Sequence, residues 1–476
     1  MPEEIGKPFK SAQARDIARV PPVVRRRGMR ISTYDGVFAT IHGNLTGGVI
    51  FTSLLLTLGA QKYHFAILNA ISAIAQLPQI LSAFWMGRLR SRKAVVISSA
   101  LVSRLILCLI VLLPHMLPFP TALKTILGAA FLWGALGSIS SNAWTGWMSD
   151  LVPRRIRGRY FSSRNFALGL ASIIASLLVS WFLDQFSEKQ AKGLFSLLPS
   201  LRGNWIFAPQ NKMAAFTFLY LLAAIPAIAC AFLVHRQFEP ERPSDERLIP
   251  GRFTSMLREP FRNRVFVRFL IFACLYNSVN SLASPYWTPY CLEDLSMSYL
   301  SLALCGLIAT ACGLVTVKYW GRLCDRYGNR PVVIVVMLFI ALHPLYYLVA
   351  SDEFLLPIYI DFASSGAMWM GYGIAMGNLL LLSGTARTKE MFFAVYATSS
   401  ALTIFIGSLV SGWIVTSIPT LHLETWTLNS VQVIFFFTSV LRFLSLYAAA
   451  KLIIEIGSRR PTAFVRGLLT RDRTGF

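Results

Sequence analysis

The sequence predicts an all-α polytopic membrane protein: twelve transmembrane helices in two pseudo-symmetric six-helix bundles. Three observations carry this. Of the 476 residues, 55% are apolar and only 14% charged, against roughly 25% charged in a soluble domain. The apolar residues fall into twelve runs, each near the roughly 20 residues that a helix needs to cross a bilayer. The 45 Lys and Arg, against 22 Asp and Glu, are confined almost wholly to alternate loops.

The elements follow in order. Residues 1–33 form a basic tail with eight Lys and Arg and no apolar core, so no signal peptide is expected there. Spans are predicted at 36–60, 64–86, 94–114, 122–148, 165–186 and 213–235, which make a first bundle over 34–235. Residues 236–264 are polar, Pro-containing and of mixed charge, and read as a linker. A second bundle over 265–456 holds spans at 265–289, 297–319, 331–350, 355–383, 391–417 and 430–455, before a basic tail at 457–476. Six spans on each side of one long linker suggest an internal duplication.

Charge placement sets the expected orientation. With the N-terminus inside, the inside segments hold 35 Lys and Arg and the outside loops only six, Lys62 and Lys124 among them. Both termini are therefore expected in the cytoplasm. The linker and the two tails are then cytoplasmic, and the long loop 187–212 lies outside, with no function assigned to it.

The same arithmetic excludes other classes. Disorder needs low hydrophobicity. A nucleic-acid binder concentrates its basic residues on one face, whereas here they are spread over every inside loop. The seven cysteines show no CxxC spacing, so neither a disulfide framework nor a zinc site is expected. The sequence holds no HExxH, no paired carboxylates within one span and no phosphate-binding glycine loop. It reads as no enzyme, without cofactor or metal.

After the eighth span the chain runs Gly321-Arg322-Leu323-Cys324-Asp325-Arg326-Tyr327-Gly328-Asn329-Arg330. This resembles the signature loop G-x-L-x-D-R-x-G-x-R of the major facilitator superfamily, in the place that family gives it, between the second and third helices of a half. The first-half copy, Gly87-Arg88-Leu89-Arg90-Ser91-Arg92-Lys93, keeps the glycine and the basic residues but lacks the aspartate. Asp150 and Arg157, seven residues apart between spans four and five, resemble the family's acid-x6-arginine element and could staple that turn. The fuller run from Asp150 to Asn165 is similar to bacterial permeases of unassigned substrate. The resemblance implies a secondary transporter working by alternating access, with Asp325, Arg326, Arg330, Asp150 and Arg157 as a conformational latch. Asp325 is then expected to face the start of span five, near Tyr160 to Arg164.

The resemblance also implies that spans one, four, seven and ten line a cavity and that spans two, five, eight and eleven flank it. Polar residues recur there at helical spacing, because an unpaired polar group facing lipid costs free energy. The candidate lining is Asn44, Asn69, Gln76, Asn142, Trp144, Asn277, Asn280, Trp369 and Tyr372. Such residues also serve to glue helices together. Tyr286, Trp287 and Tyr290 read as an interfacial belt, and the pairs Gly43/Gly47, Gly373/Gly377 and Gly407/Ser411 as packing faces. Arg104 and Arg442 fall mid-span, where a structural pair or snorkelling competes with a transport role. Asp35, Asp184 and Asp361 are the carboxylates that could couple transport to protons, and Asp361 is preferred.

The expectation is a monomeric permease of a bacterial cytoplasmic membrane. It moves a small polar or amphiphilic organic solute through a lining without a fixed charge cluster, coupled to a proton or another ion. The alternatives are export of hydrophobic drugs or lipids in the same fold, and a transport-inactive membrane sensor. Substrate, direction and coupling ion are not legible in the sequence.

Overall fold

A computed structural model describes residues 21–79, 82, 91–187, 209–240, 258–383, 389–422 and 427–455. The loop Gly87–Arg90, most of the outer loop 187–212, most of the linker, Arg387 and the C-terminal tail lie outside the described residues. Twelve helices are described: α1 Pro22–Thr57, α2 Lys62–Ile74, α3 Arg92–Met116, α4 Phe119–Leu151, α5 Arg157–Asp184 and α6 Lys212–Arg236, then α7 Arg264–Glu293, α8 Tyr299–Tyr327, α9 Asn329–Val349, α10 Leu356–Ser383, α11 Lys389–Ser417 and α12 Ser430–Leu452. Two-residue strands β1 (Leu421–His422) and β2 (Thr427–Leu428) pair between α11 and α12. Ten of the helices are long and apolar enough to cross a membrane. Of the other two, α2 has only 13 residues before a turn at 75–77, and α10 is diluted by Asp361, Asn378 and glycines 366, 371, 373 and 377.

Local sequence explains where the helices begin and bend. Side chains cap N-termini by accepting orphan backbone N–H groups. Ser91 does so for α3 and Asn263 for α7, Ser298 does so for α8, and Asn429 with Gln432 forms a capping box on α12. Gly328 ends α8 at φ 94°, a left-handed backbone that favours glycine. The bends track prolines: a 3₁₀ turn at Ile110–Leu112 precedes Pro114 in α3, and another at Ser284–Tyr286 contains Pro285 in α7. A break at Ala341–Leu342 precedes Pro344 in α9.

Helix α1 starts at Pro22, eleven residues before the expected end of the basic tail. The length rule counts apolar residues, whereas a helix continues into water as long as its backbone bonds are satisfied. As a result Asp35 lies well inside α1 rather than at its end.

The chain divides into two compact units. Among the described residues, the first comprises 21–54, 75–79, 82, 91–186 and 209–240, and the second comprises 55–74 and the residues from 258 onward. Within the first, α1 packs on α5 and α6, while α3 packs on α4 and α6. Within the second, α7 packs on α11 and α12, while α9 packs on α10 and α12. The two packing patterns are the same, as a duplicated six-helix repeat requires. Residues 55–74, expected in the first bundle, group with the second because α2 lies along α11. There Asn69 Nδ2 donates to Ser408 Oγ at 2.7 Å, and Lys62 Nζ stands 3.8 Å from Asp294 Oδ1.

Side chains that point away from each unit are apolar and helically spaced. Leu170, Ile174 and Leu178 on α5, and Phe436, Val440, Leu444 and Tyr447 on α12, are all exposed. In water such stripes would drive aggregation, whereas in lipid they are solvated. The chain is an all-α polytopic membrane protein. In the second unit, α8 and α10 approach closely: a Cβ on Gly366 would collide with the backbone O of Ala309.

Candidate functional site

In the first unit α1, α3, α4, α5 and α6 line an open-sided cavity of about 230 Å³. Its wall holds Asp35 from α1, Ser103 and Arg104 from α3, Ser140, Ser141 and Trp144 from α4, and Arg164 from α5. Helical geometry explains the convergence, since residues three or four apart share a face: Val96, Ala100, Ser103 and Arg104 do so on α3, as do Gly137, Ser140, Ser141 and Trp144 on α4. Asp35 is 6% exposed, and its Oδ1 is buried without a hydrogen-bond partner. The Arg164 guanidinium lies 4.4 Å from the centroid of the Trp144 ring, a cation–π distance. Arg164 Nε also reaches the Ser32 carbonyl at 3.4 Å. Gly36 makes room for that side chain: a Cβ there would stand 2.5 Å from a guanidinium nitrogen of Arg164. Within the first unit, one carboxylate and two guanidiniums thus share one cavity.

The other first-unit candidates are engaged in helix-to-helix bonds. Asn44 Nδ2 donates to the Thr40 carbonyl at 2.9 Å and to Ser172 Oγ on α5 at 3.1 Å. Asn142 Nδ2 donates to the Gln79 carbonyl and to Ser82 Oγ, both at 3.1 Å. Gln76 is exposed. His42 Nδ1 lies 3.1 Å from the Ala223 carbonyl and ties α1 to α6.

The second unit holds its own polar core. Tyr347 on α9 donates its O–H to Asp361 Oδ2 on α10 at 3.2 Å. His343 Nδ1 stands 3.9 Å from Asp361 Oδ1, and its Nε2 lies 3.2 Å from Ser364 Oγ. Asp361 is 6% exposed, with Oδ1 lacking a hydrogen-bond partner. Arg442 on α12 is 3% exposed; its Nε donates to Asn280 Oδ1 at 2.9 Å and its Nη1 to the Ile340 carbonyl at 3.0 Å. That guanidinium ties α7, α9 and α12 together, so Arg442 does not snorkel. Asn277 Nδ2 donates to Ser400 Oγ on α11 at 3.0 Å. Trp369 and Tyr372 meet edge to face at 5.4 Å, and the Tyr276 ring lies 5.3 Å from Tyr372.

The expected interfacial belt on α7 is instead core. Tyr286 and Tyr290 are buried, Trp287 stacks on Phe435 at 4.5 Å, and Tyr290 donates to the Tyr347 carbonyl at 3.2 Å. The Pro285 turn swings this segment inward, which composition alone does not reveal. Ser411 likewise donates to the Leu282 carbonyl. A Cβ on Gly407 would meet Ser281, while Gly43, Gly373 and Gly377 face open space.

Two glutamates that sequence reasoning missed occupy matching places. Glu239, three residues past α6, accepts from Ser91 Oγ and the Arg92 backbone N–H, both at 2.6 Å. Glu455, three residues past α12, accepts from the Asn329 backbone N–H at 3.0 Å and the Arg330 N–H at 2.7 Å. Each carboxylate sits on the N-terminus of the third helix of its half, where the helix dipole favours negative charge. The signal was present as a Glu at equal distance beyond the sixth and twelfth helices.

The expected Asp150–Arg157 staple does not form. Asp150 Oδ2 instead takes Arg92 Nη1 at 2.5 Å, and Arg157 Nη2 donates to the Ser149 carbonyl at 2.7 Å. The N-terminus of α3 brings Arg92 to the acid, and Arg157 satisfies an orphan carbonyl at the end of α4. At the inner loop of the second half Arg330 also donates to the Ala450 carbonyl, Arg326 lies 5.5 Å from the Tyr327 ring centroid, and Asp325 is exposed.

A search of the curated proteins finds no match. Among solved structures, the chain superimposes on nucleoside transporter NupG with a TM-score of 0.61 at 11% identity, covering 91% of this chain and 99% of that one. It superimposes on a D-xylose–proton symporter with a TM-score of 0.63 at 14% identity, covering 91% and 99%. A bacterial homolog of the human lysosomal transporter Spinster gives 0.60 at 12% identity, covering 91% and 98%. At such identities the likeness is one of fold. The sequence profile of the Major Facilitator Superfamily matches residues 37–408. The chain belongs to that superfamily, and its fold is that of a secondary transporter.

Proposed function

We propose that this protein moves a small polar or amphiphilic organic solute across a bacterial cytoplasmic membrane by alternating access, with both termini in the cytoplasm. The observation that carries the reading is the pair of six-helix repeats, each with a buried polar interior, in a fold shared with a nucleoside transporter and a D-xylose–proton symporter. The orientation rests on the excess of Lys and Arg in the inside loops. Asp325, Arg326, Arg330, Asp150 and Arg157 serve as the inner latch, with Arg92 as the partner of Asp150. Asp361 is the coupling carboxylate: it is buried and has one oxygen without a hydrogen-bond partner. The polar and aromatic candidates contact the solute as the halves rock.

The test is a thermal-stability screen of the purified protein against sugars, nucleosides, amino acids, organic acids and amphiphilic drugs at two pH values, followed by counterflow in proteoliposomes. A solute that binds the folded state raises its apparent stability with concentration. Stabilisation and counterflow by one solute class are expected. Folded, reconstituted protein that moves none of them overturns the transport reading.

A further inference from the structure

Three groups in the first-unit cavity have hydrogen-bonding capacity left over. Asp35 Oδ1 is buried with no partner, and the Trp144 indole N–H is buried with no acceptor. Arg104 lines the same wall, and among the described residues no ion pair within 4.0 Å joins Asp35 to Arg104 or Arg164. Ser103 and Ser140 are already spent on the carbonyls of Trp133 and Val96. A buried carboxylate and two guanidiniums that share a cavity without pairing leave a site whose polar groups a ligand can satisfy.

The charges fix the kind of ligand. Two guanidiniums and one carboxylate leave one positive charge over, which a monoanion neutralises. Guanidinium forks match a carboxylate in plane and spacing, and the Trp144 N–H is one more donor to it. Asp35 Oδ1 calls for the opposite, a donor on the ligand. A volume of about 230 Å³ falls below that of pockets for drug-sized molecules. We propose that the first-unit cavity binds a small monocarboxylate that also carries a hydroxyl hydrogen-bond donor. The carboxylate is held by Arg104 and Arg164, and the donor is received by Asp35. This deepens the transport reading and rests on it, because the cavity then selects the transported solute.

The test uses purified full-length protein and five probes: L-lactate, glycolate, propionate and, as uncharged solutes of the relatives' kinds, D-xylose and uridine. Melting temperature is read against concentration, and counterflow is measured in parallel. Lactate or glycolate is expected to stabilise, with propionate at least tenfold weaker because it offers nothing to Asp35. Arg104→Gln and Arg164→Gln should each weaken the carboxylate by tenfold or more. Asp35→Ala, which removes the acceptor that an asparagine would keep, should shrink the margin over propionate to within about threefold. Where a glutamine variant fails to fold, Arg104→Lys and Arg164→Lys carry the test, with a severalfold loss from the missing fork. Equal stabilisation by lactate in wild type and in the arginine variants overturns the proposal. So does stabilisation and counterflow by xylose or uridine without the carboxylates, which leaves the transport reading standing. Absence of any shift together with absence of counterflow overturns both.

Discussion

Glu455 accepts from the backbone N–H of Asn329 at 3.0 Å and from its side-chain amide at 2.7 Å. The end of the last helix thereby closes the start of the ninth, and Glu239 does the same for the third. A charged acceptor at a helix N-terminus is worth about 1 kcal/mol. Glu455→Gln and Glu239→Gln should each lower the apparent melting temperature in detergent. The double variant should lose the sum, because the two caps share no partner. A double variant no worse than either single would mean that the caps act together.

The approach of α8 and α10 gives a sharper steric test. Gly366→Ala puts a methyl group against the Ala309 backbone, which cannot move like a side-chain tip. A loss of about 1–3 kcal/mol or of folded yield is expected. Gly373→Ala, in the same helix with open space around its Cβ position, should be neutral or stabilising by about 0.5–1 kcal/mol. Fluorescence size-exclusion yields after a heating series separate the two.

Arg442 is expected to be structural. Arg442→Met removes bonds to Asn280 Oδ1 and the Ile340 carbonyl inside the second unit and leaves the carbonyl buried and the amide oxygen part-buried. A destabilisation of about 3 kcal/mol is expected. Stable, transport-dead protein would instead give this arginine a direct part in turnover.

Asp361→Asn can still accept the Tyr347 O–H, so folded yield should be unchanged. If the carboxylate carries the coupling proton, counterflow should persist while accumulation driven by a pH gradient falls at least tenfold. Unaltered accumulation would remove Asp361 from the coupling step.

Asp325→Asn should slow exchange by about tenfold with no loss of folded protein, as expected of a residue that acts through conformational cycling. Wild-type exchange rates in the variant would end its assignment to the latch.

The helices were readable because lipid demands long apolar runs, whereas the bends at Pro114, Pro285 and Pro344 were not read from the sequence. Side-chain pairing was also less readable. Asp150 and Arg157 are close in sequence, but the helix that brings Arg92 to the acid comes from 58 residues earlier. Tyr286 and Tyr290 have the composition of a membrane-interface belt, and only the turn at Pro285 buries them. The cavity charges were each visible, yet Asp35, Arg104 and Arg164 lie on three helices whose relative rotation no local pattern encodes. The two capping glutamates could have been found by laying one half of the chain over the other.

The Gly366 contact also bears on how motion in this protein should be watched. With one backbone resting on another, α8 and α10 cannot slide or roll past each other without separating. They form one lever, and a pair of spectroscopic labels with one on each should keep a constant distance through turnover. Such a pair supplies the internal ruler against which labels elsewhere are read, and a change in it marks damage to the lever.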